Sequence, residues 1–392
     1  VFLPERMMKT VNFLASDELA GRAPGSEAMN KAIDFIADKF KNAGLLPGSD
    51  DSTFFQTWNE VVNEKGDKAP VKNIIGIIPG TNPNLKDESV VISAHYDHLG
   101  LGWPGGNVGN VGKIHYGADD NASGVAVMLE LADLLGKTLK PQRTIVFVAF
   151  TSEENNLRGS KYYVQNTKRF PAKKAIGVIN IDAVGRLGSK KLMVLSSSSA
   201  REWKFIFMGA SYVTGVESET VTQDLDASDQ RSFIEIGVPG VQLFGGANED
   251  YHKPTDVAGK IDASGLVKVA TFGRERLLYL ADRSEPLTSQ IQAVPETKKI
   301  QSAGERKVST GSMPDFAYSG EGVRIADVAA ESPAAKAGMQ TGDIIKKIGQ
   351  FKITNLREYS DALKTFQPGN IVEFVFVRGN QEMTVKIELA AK

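Results

Sequence analysis

One stretch of the sequence combines a histidine with several acidic side chains. Residues 90–92 are apolar and predict a buried strand that ends just before His95, so His95 and Asp97 should emerge at the carboxyl end of that strand. Asp120 follows in the polar, glycine-rich stretch 117–124. Imidazole and carboxylate groups in such a setting are typical ligands of a hard-to-borderline metal ion, and zinc is the metal that we predict.

Further acids and a second histidine follow in the chain. Glu153 and Glu154 come after one predicted buried strand, Asp182 after another, and His252 lies in a turn-rich stretch. Because parallel strands bring their carboxyl ends to one edge of a sheet, we expect these side chains to meet His95 there. Two metal ions about 3.5 to 4 Å apart need a bridging carboxylate and roughly two further ligands each. Two histidines with three or four acids match that requirement.

The composition is that of an ordinary globular protein, and it narrows the possible functions. The 46 Lys and Arg residues balance 47 Asp and Glu, so the net charge of -1 offers no general attraction for nucleic acid or an anionic membrane. The absence of cysteine excludes disulfides, thiolate metal ligands and a cysteine nucleophile. No apolar stretch approaches the ~20 residues of a membrane-spanning helix. The chain begins at Val1, without a signal peptide, which indicates a secreted or periplasmic protein whose signal peptide has been removed.

The order of predicted elements indicates an α/β fold. After two N-terminal helices, strands alternate with helices, which predicts a mixed, mostly parallel sheet with helices on both faces. Residues 71–78 and 89–93 are expected to pair as two central strands. This first domain should span residues 1–283, followed by a polar linker over 284–302. Four short strands and two short helices then predict a small β-rich domain over 303–392.

Five short motifs occur in a fixed order along the first domain. They are His95-Tyr96-Asp97, Gly117-Ala118-Asp119-Asp120, Glu153-Glu154 with Leu157-Arg158-Gly159-Ser160, Asn180-Ile181-Asp182, and His252-Lys253-Pro254-Thr255-Asp256. In this order they resemble the co-catalytic di-zinc aminopeptidases, a family that also contains aminopeptidase-like carboxypeptidases and glutaminyl cyclases. The resemblance covers roughly residues 10–281.

The resemblance implies which residues hold the metal. His95 and Asp182 would bind one zinc ion, Glu154 and His252 would bind the other, and Asp120 would bridge the two. Neutral imidazoles and carboxylates suit zinc. The family also places a cis peptide bond directly after this bridging aspartate.

The resemblance implies further roles beside the metal ligands. Glu153 would act as general base toward a metal-bridging hydroxide and pass its proton to the leaving amine. Asp97 would accept the second ring N–H of His95 and fix its tautomer. Tyr251 resembles a tyrosine that donates a hydrogen bond to the oxyanion of the tetrahedral intermediate.

Four nearby titratable residues are interpreted as neighbours of the site. His98 and His115 should line the cleft or pack its loop, Asp119 should be a structural carboxylate, and Asp256 should support a turn or a ligand. The glycine-rich loop Gly100–Gly112 is either a flexible rim over the site or a plain surface loop.

The C-terminal domain resembles a different family. Residues 331–339 and 341–349 carry the marks of a bacterial, circularly permuted PDZ domain. PDZ domains add a peptide C-terminus as a strand, while loop N–H groups hold its carboxylate. The resemblance places that loop at Thr310, Gly311 and Ser312. A working peptide receptor and a purely structural or docking domain both remain open.

The sequence therefore predicts a zinc-dependent aminopeptidase with two Zn2+ ions that removes N-terminal residues from peptides with a free N-terminus. Peptide C-termini would bind at the PDZ domain. We expect no nucleic-acid partner. Two alternatives remain. One is a glutaminyl-cyclase-like acyl transferase that uses one zinc ion, and the other is a non-catalytic adaptor whose working part is the PDZ domain.

Overall fold

The fold is described from a computed structural model that covers residues 2–104, 110–222, 228–291, 306–315, 318 and 320–391. It contains two compact units. The first runs to Thr220 and resumes up to Ile291, and the second contains the described residues from 306 onward. Ser289, in the predicted linker, forms a β-bridge with Ala200, so the first unit extends past the predicted boundary at residue 283. Residues 292–302 of that linker lie outside the described residues.

Seven α-helices lie in the described part of the first unit, namely α1 (Pro4–Leu14), α2 (Glu27–Asn42), α3 (Gly124–Leu135), α4 (Arg158–Asn166), α5 (Trp203–Thr214), α6 (Gln230–Ile234) and α7 (Ala263–Asp282). Five of the seven lie close to their predicted positions, whereas α1 begins seven residues before the predicted helix 11–19 and α6 was not predicted. The start of α2 is fixed by Ser26, whose side chain accepts the N–H of Met29 as an N-cap. Its apolar face buries Ile33, Ile36 and Phe40, as the helical spacing predicts. Within the described parts of the chain, no helix is long and apolar enough to cross a membrane.

One mixed sheet forms the centre of the first unit. Its strands are β1 (Leu46–Pro47), β2 (Phe55–Val61), β3 (Lys68–Ile78), β4 (Ser89–His95), β5 (Thr144–Phe150), β6 (Ala175–Ile181), β7 (Leu192–Leu195), β8 (Ser218–Thr220) and β9 (Gly240–Phe244). They lie in the order β1-β3-β5-β4-β6-β9-β7-β8, with β2 also paired to β3. The central strands β5, β4, β6 and β9 are mutually parallel, whereas β3 and β7 run antiparallel to their inner neighbours.

Helices cover both faces of this sheet, as predicted. All residues of β4 are buried. Val90 and Ile92 point into a core that also contains apolar residues of α1, α2, α3, α5 and α7. Val91, between them, belongs to a second core with Tyr163 of α4 and Phe233 of α6. The fold class is therefore confirmed.

The expected pairing of residues 71–78 with 89–93 is wrong. β3 pairs with β5 in antiparallel fashion, with Ile74 opposite Ala149, and β4 lies between β5 and β6. The reason is the crossover through α3, which returns the chain to the side of β4 that faces β3. β5 thus inserts between two strands that are consecutive in sequence.

The second unit is a small antiparallel β structure with two short helices. Its elements are β10 (Val308–Ser309), β11 (Ser312–Pro314), β12 (Val323–Val328), α8 (Pro333–Lys336), β13 (Ile344–Ile348), β14 (Phe351–Lys352), α9 (Leu356–Lys364), β15 (Ile371–Arg378), β16 (Gln381–Glu388) and β17 (Ala390–Ala391). The main sheet has the order β11-β12-β13-β15-β16. The predicted strands and helices of this region are all present.

Candidate metal centre

Three neighbouring parallel strands bring the predicted ligands to one edge of the sheet. β4 ends at His95, Glu153 follows β5, and Asp182 directly follows β6. Asp120 comes from the segment before α3, and His252 from the loop after β9. The fold therefore gathers side chains that are widely separated in the sequence.

Two groups of ligand atoms share one carboxylate. Nε2 of His95 lies 3.1 Å from Oδ1 of Asp120 and 3.4 Å from Oδ1 of Asp182. Nε2 of His252 lies 3.2 Å from Oδ2 of Asp120 and 3.0 Å from Oε2 of Glu154. Two atoms bound at 2.0–2.1 Å to a tetrahedral zinc ion are ~3.3 Å apart, and these four distances are close to that value. The ligand atoms of His95, Asp120 and Asp182 also all lie within 4.8 Å of one another. Each oxygen of Asp120 faces one group, which is the arrangement of a bridging carboxylate.

The imidazole atoms in these groups are available to a metal ion. Nε2 of His95 and Nε2 of His252 are buried and form no hydrogen bond with any described residue. A metal ion held by imidazole and carboxylate groups would satisfy both nitrogens, so the residues present fit a zinc centre.

The charges of the histidines and the acids in this cluster partly compensate one another. Burial would lower the pKa of both histidines, but neighbouring acids raise the pKa of His95 well above its usual value and that of His252 to about 9. Burial would raise the pKa of the acids, but the imidazoles lower the pKa of Asp120 well below its usual range and that of Glu154 to about 2. A metal ion bound here would take the place of protons on the two imidazoles.

Glu153 lies beside both groups without being a member of either. Its Oε2 is 3.9 Å from Nε2 of His95, and its side chain is the most exposed among the clustered acids at 13%. Burial and the charges of Glu154 and Asp182 raise the pKa of Glu153 well above its usual value. Glu153 is therefore the acid of this cluster most suited to exchange a proton.

His98 contacts the ligand Glu154 directly. Its Nδ1 lies 2.7 Å from Oε1 of that carboxylate, and its ring is fully buried. A side chain at Gly117, where φ is +58°, would place Cβ only 2.5 Å from Cγ of His98, so this glycine makes room for the ring. His98, Asp120 and Glu154 also lie close enough together to share an ion. His98 therefore contacts a predicted metal ligand directly, whereas the sequence predicted only that it lines the cleft or packs its loop.

The carboxylate of Asp97 does not accept the ring N–H of His95, which was its expected partner. Nδ1 of His95 is 3.2 Å from the main-chain oxygen of Asp97, and 3.7 Å from its carboxylate. The carboxylate instead accepts the main-chain N–H of Glu153 at 3.1 Å and of Glu154 at 3.4 Å. Asp97 therefore orients His95 through its backbone and the loop of the two glutamates through its side chain.

The segment around Asp120 is fixed by two further carboxylates. Asp256 accepts the main-chain N–H of Asp120 at 3.1 Å and of Asp119 at 2.9 Å. Asp119 accepts the N–H of Gly185 at 2.6 Å and the side-chain N–H of Asn248 at 2.8 Å. The peptide bond after Asp120 is cis, which confirms that prediction. Both carboxylates thus have structural partners, as interpreted from the sequence.

The rim of the site is only partly described. The ring of Tyr251 stacks on that of His252, with centroids 3.8 Å apart, and is 55% exposed. His115 is buried, and its Nδ1 lies 3.0 Å from the main-chain oxygen of Lys113. Residues 105–109 of the loop Gly100–Gly112 lie outside the described residues. The two interpretations of this loop, a flexible rim over the site and a plain surface loop, both stay predictions.

Two further buried charged residues near the centre were not among the predicted site residues. Arg22 is fully buried. Burial lowers its pKa to about 10, and the charges of Asp97 and Asp120 oppose this effect. Asp229 is also fully buried, and its carboxylate forms no hydrogen bond with the described chain. Burial raises the pKa of Asp229 to about 7. Neither residue follows a predicted strand, which was the pattern that identified Glu153, Glu154 and Asp182.

In the second unit, the predicted carboxylate loop has internal hydrogen bonds. The N–H of Gly311 donates to the side chain of Ser309 at 3.1 Å, and the N–H of Ser312 donates to that of Thr310 at 3.3 Å. The hydroxyls of Thr310 and Ser312 both contact that of Tyr359. A peptide carboxylate would have to replace these acceptors.

The sheet and the shared-carboxylate centre define an α/β protein with a candidate two-metal site at the carboxyl edge of its strands. Residues 73–275 match the sequence profile of Peptidase family M28, and residues 292–389 match that of the PDZ domain. The chain belongs to Peptidase family M28, so the resemblance found in the motifs is confirmed. The M28 match contains every predicted metal ligand but not Arg22.

Three individual proteins are similar to this chain in sequence or in fold. Aminopeptidase YwaD of Bacillus subtilis (strain 168) is 32% identical over 196 residues, which cover 47% of this chain and 39% of that protein. BSAP, a zinc aminopeptidase from Bacillus subtilis, has a similar fold with a TM-score of 0.58 at 18% identity, covering 74% of this chain and 99% of BSAP. Porphyromonas gingivalis glutaminyl cyclase gives a TM-score of 0.57 at 21% identity over 70% and 98% of the two chains. These structures establish the fold, and this chain spans only part of the length of YwaD.

Proposed function

We propose that this chain is a zinc-dependent aminopeptidase that binds two Zn2+ ions and removes N-terminal residues from peptides. The observation that carries the proposal is the position of Asp120, whose two oxygens face two separate groups of a histidine and a carboxylate. Membership of Peptidase family M28 and the similarity to an aminopeptidase support the same activity.

Five residues would hold the two ions. His95 and Asp182 would bind one, Glu154 and His252 the other, and Asp120 both. Bound zinc supplies Lewis-acid activation of water and of the scissile carbonyl. The surrounding hydrogen bonds hold these side chains in place before any substrate arrives.

Glu153 is the proposed general base. Its carboxyl faces the centre beside His95 without belonging to a ligand group, and its raised pKa suits proton transfer near neutral pH. It would accept a proton from the attacking water and deliver it to the leaving amine. Tyr251, on the rim beside His252, would donate its hydroxyl to the developing oxyanion.

Glu153 favours substrates with a free α-amino group. It is the most exposed of the clustered acids, with 13% of its side chain accessible, and it is not one of the five proposed ligands. Bound zinc ions would offset the charge of the ligand carboxylates, so Glu153 is the acid left to attract a substrate ammonium group, which an N-acylated peptide lacks.

The decisive experiment is a hydrolysis assay with aminoacyl chromogenic substrates and their N-acylated counterparts. The rates are measured before chelation, after chelation, and after zinc restoration, and the bound metal is counted by mass spectrometry. We expect hydrolysis of free-amine substrates only, lost with chelation and restored by two zinc ions per chain. Absence of hydrolysis in the zinc-restored protein would refute the proposal. Cyclisation of glutaminyl peptides with one zinc ion would establish the cyclase alternative instead.

For the second unit we propose binding of extended peptides that end in a free carboxylate. The support is the match to the PDZ domain and the left-handed turn at Gly311, where φ is +71°.

A further inference from the structure

Arg22 is a fully buried cation whose hydrogen bonds all go to main-chain carbonyls. Its guanidinium donates to the oxygens of Leu14, Tyr96, Tyr116 and Gly117 at distances of 2.5 to 2.9 Å. Among the described residues, no carboxylate forms an ion pair with it. A planar guanidinium with five N–H donors can hold several carbonyls at fixed angles, which an ammonium group cannot.

Three of the four acceptors, Tyr96, Tyr116 and Gly117, belong to the two segments that carry His95 and Asp120, and the fourth, Leu14, ends α1. Tyr96 lies directly between His95 and Asp97, and Gly117 lies shortly before Asp120 in the turn that leads to α3. One rigid side chain therefore connects both segments. Their separation determines the distance between Nε2 of His95 and the nearer oxygen of Asp120.

The backbone around Arg22 is bound to the same region. Its main-chain oxygen accepts the N–H of His98 at 3.2 Å, and the oxygen of Gly21 accepts the N–H of Gly100 at 3.0 Å. Ala20, Gly21 and Arg22 have φ values of +44°, +77° and +50°. Left-handed backbone is disfavoured for a residue with a side chain, so Ala20 and Arg22, on either side of Gly21, require support from their surroundings.

The charge of Arg22 also faces the acids of the centre. Burial lowers its pKa to about 10, while the charges of Asp97, Asp120, Asp256 and Glu154 oppose that effect. The guanidinium therefore remains protonated at neutral pH and offsets part of the excess negative charge. It does so without occupying any oxygen that a metal ion needs.

We infer that Arg22 is a positioning residue that holds the segments of His95 and Asp120 at the separation a two-metal centre requires. The inference rests on the proposed metal site, and it adds to that site a residue from outside the segment that matches the peptidase family. Arg22 acts through main-chain carbonyls and does not touch substrate or metal.

The test compares Arg22→Lys and Arg22→Gln with Arg143→Lys in the full chain. Arg143 serves as the control because it is equally buried and also donates to main-chain carbonyls, those of Arg283 and Ser284. Unlike Arg22, it also forms an ion pair with Glu88, and it lies at the end of β5 opposite to Glu153. The readouts are zinc affinity against a competing chelator, the absorption spectrum of the Co2+-substituted protein, and thermal stability.

We expect both Arg22 variants to bind zinc about 10- to 100-fold more weakly and to give an altered Co2+ spectrum. Arg143→Lys should lower thermal stability but leave both metal readouts unchanged. Wild-type zinc affinity and spectrum in a folded Arg22 variant would overturn the inference. Failure of both variants to fold while Arg143→Lys folds would also contradict it, since Arg22 would then determine the fold itself. Metal binding is measured independently of turnover, so an inactive wild-type protein would refute only the proposed function.

Discussion

Nδ1 of His98 lies 2.7 Å from Oε1 of Glu154, while Oε2 of the same carboxylate lies 3.0 Å from Nε2 of His252. His98 thereby occupies one oxygen of Glu154 and leaves the other directed at the second ligand group. Such an outer partner fixes the orientation of a ligand and tunes its affinity.

This arrangement predicts different effects for the two histidines. His252→Ala removes a ligand, so zinc content should fall from two ions to one. His98→Ala removes only the support of Glu154, so two ions should bind, the weaker with affinity reduced about 10- to 100-fold. Zinc counts and chelator competition measure both effects, with His115→Ala as the control of unchanged affinity. Loss of an ion in His98→Ala would instead identify His98 as a ligand.

Glu153 and its neighbour Glu154 have the same side chain but different proposed roles, so the same substitution should affect metal content differently at the two positions. Glu153→Gln keeps the shape of the side chain but removes the base, so kcat should fall about 10²- to 10⁴-fold with two zinc ions still bound. Glu154→Gln should lose zinc as well as activity. Metal analysis and steady-state kinetics on the same samples distinguish the two. A fully active Glu153→Gln protein with its metal in place would exclude the proposed role.

Tyr251→Phe tests the oxyanion contact. The phenyl ring should still stack on His252, so metal content and KM should stay near wild type, while kcat should fall about 10²-fold through loss of one donor. Steady-state kinetics with a zinc count are sufficient. An unchanged kcat would exclude the oxyanion contact and show that Tyr251 only packs against His252.

Asp229 predicts a specific pH dependence of stability. Its pKa is raised to about 7 in the folded protein by burial, so the folded state holds a proton that the unfolded chain releases at lower pH. This group therefore weakens the fold as pH rises from about 4 to about 7. Asp229→Asn lacks the titration, so its Tm relative to wild type should increase over that range and then level off. A constant difference in Tm across the range would argue against the raised pKa.

Gly311 offers a test of the second unit. A side chain at this position would place Cβ 2.2 Å from that of Ser332, in a backbone conformation that disfavours residues other than glycine. Gly311→Ala should therefore reduce binding of a labelled peptide with a free C-terminus, measured by fluorescence anisotropy on the Glu153→Gln background. The amidated peptide is the control and should bind weakly to both proteins. Equal binding of the two peptides would show that no carboxylate is recognised.

The elements that sequence patterns predicted well are those with strong periodicity. The apolar spacing in α2 and the continuous apolar runs of β4 and β6 are direct consequences of burial on one or both faces. Because these runs end next to His95 and Asp182, the position of the ligands at one sheet edge followed from the same reasoning.

Other features depend on contacts that leave no pattern in the sequence. The position of β5 between β3 and β4 is decided by the crossover of α3, which strand composition does not report. Arg22 acts on main-chain carbonyls, which every residue possesses, so no partner residue type marks it. The same holds for Asp97, whose carboxylate binds backbone N–H groups instead of the expected ring nitrogen.

The sharing of Asp120 between two groups has a consequence for biosynthesis. His95, Asp120 and Asp182 leave the ribosome before His252, so the first group can form while the second still lacks its imidazole. The second becomes complete only when β9 has joined β6 and placed the loop of His252. With the proposed ligands, uptake of the second ion would therefore mark a chain whose sheet is complete, and a chain truncated before His252 would carry one ion.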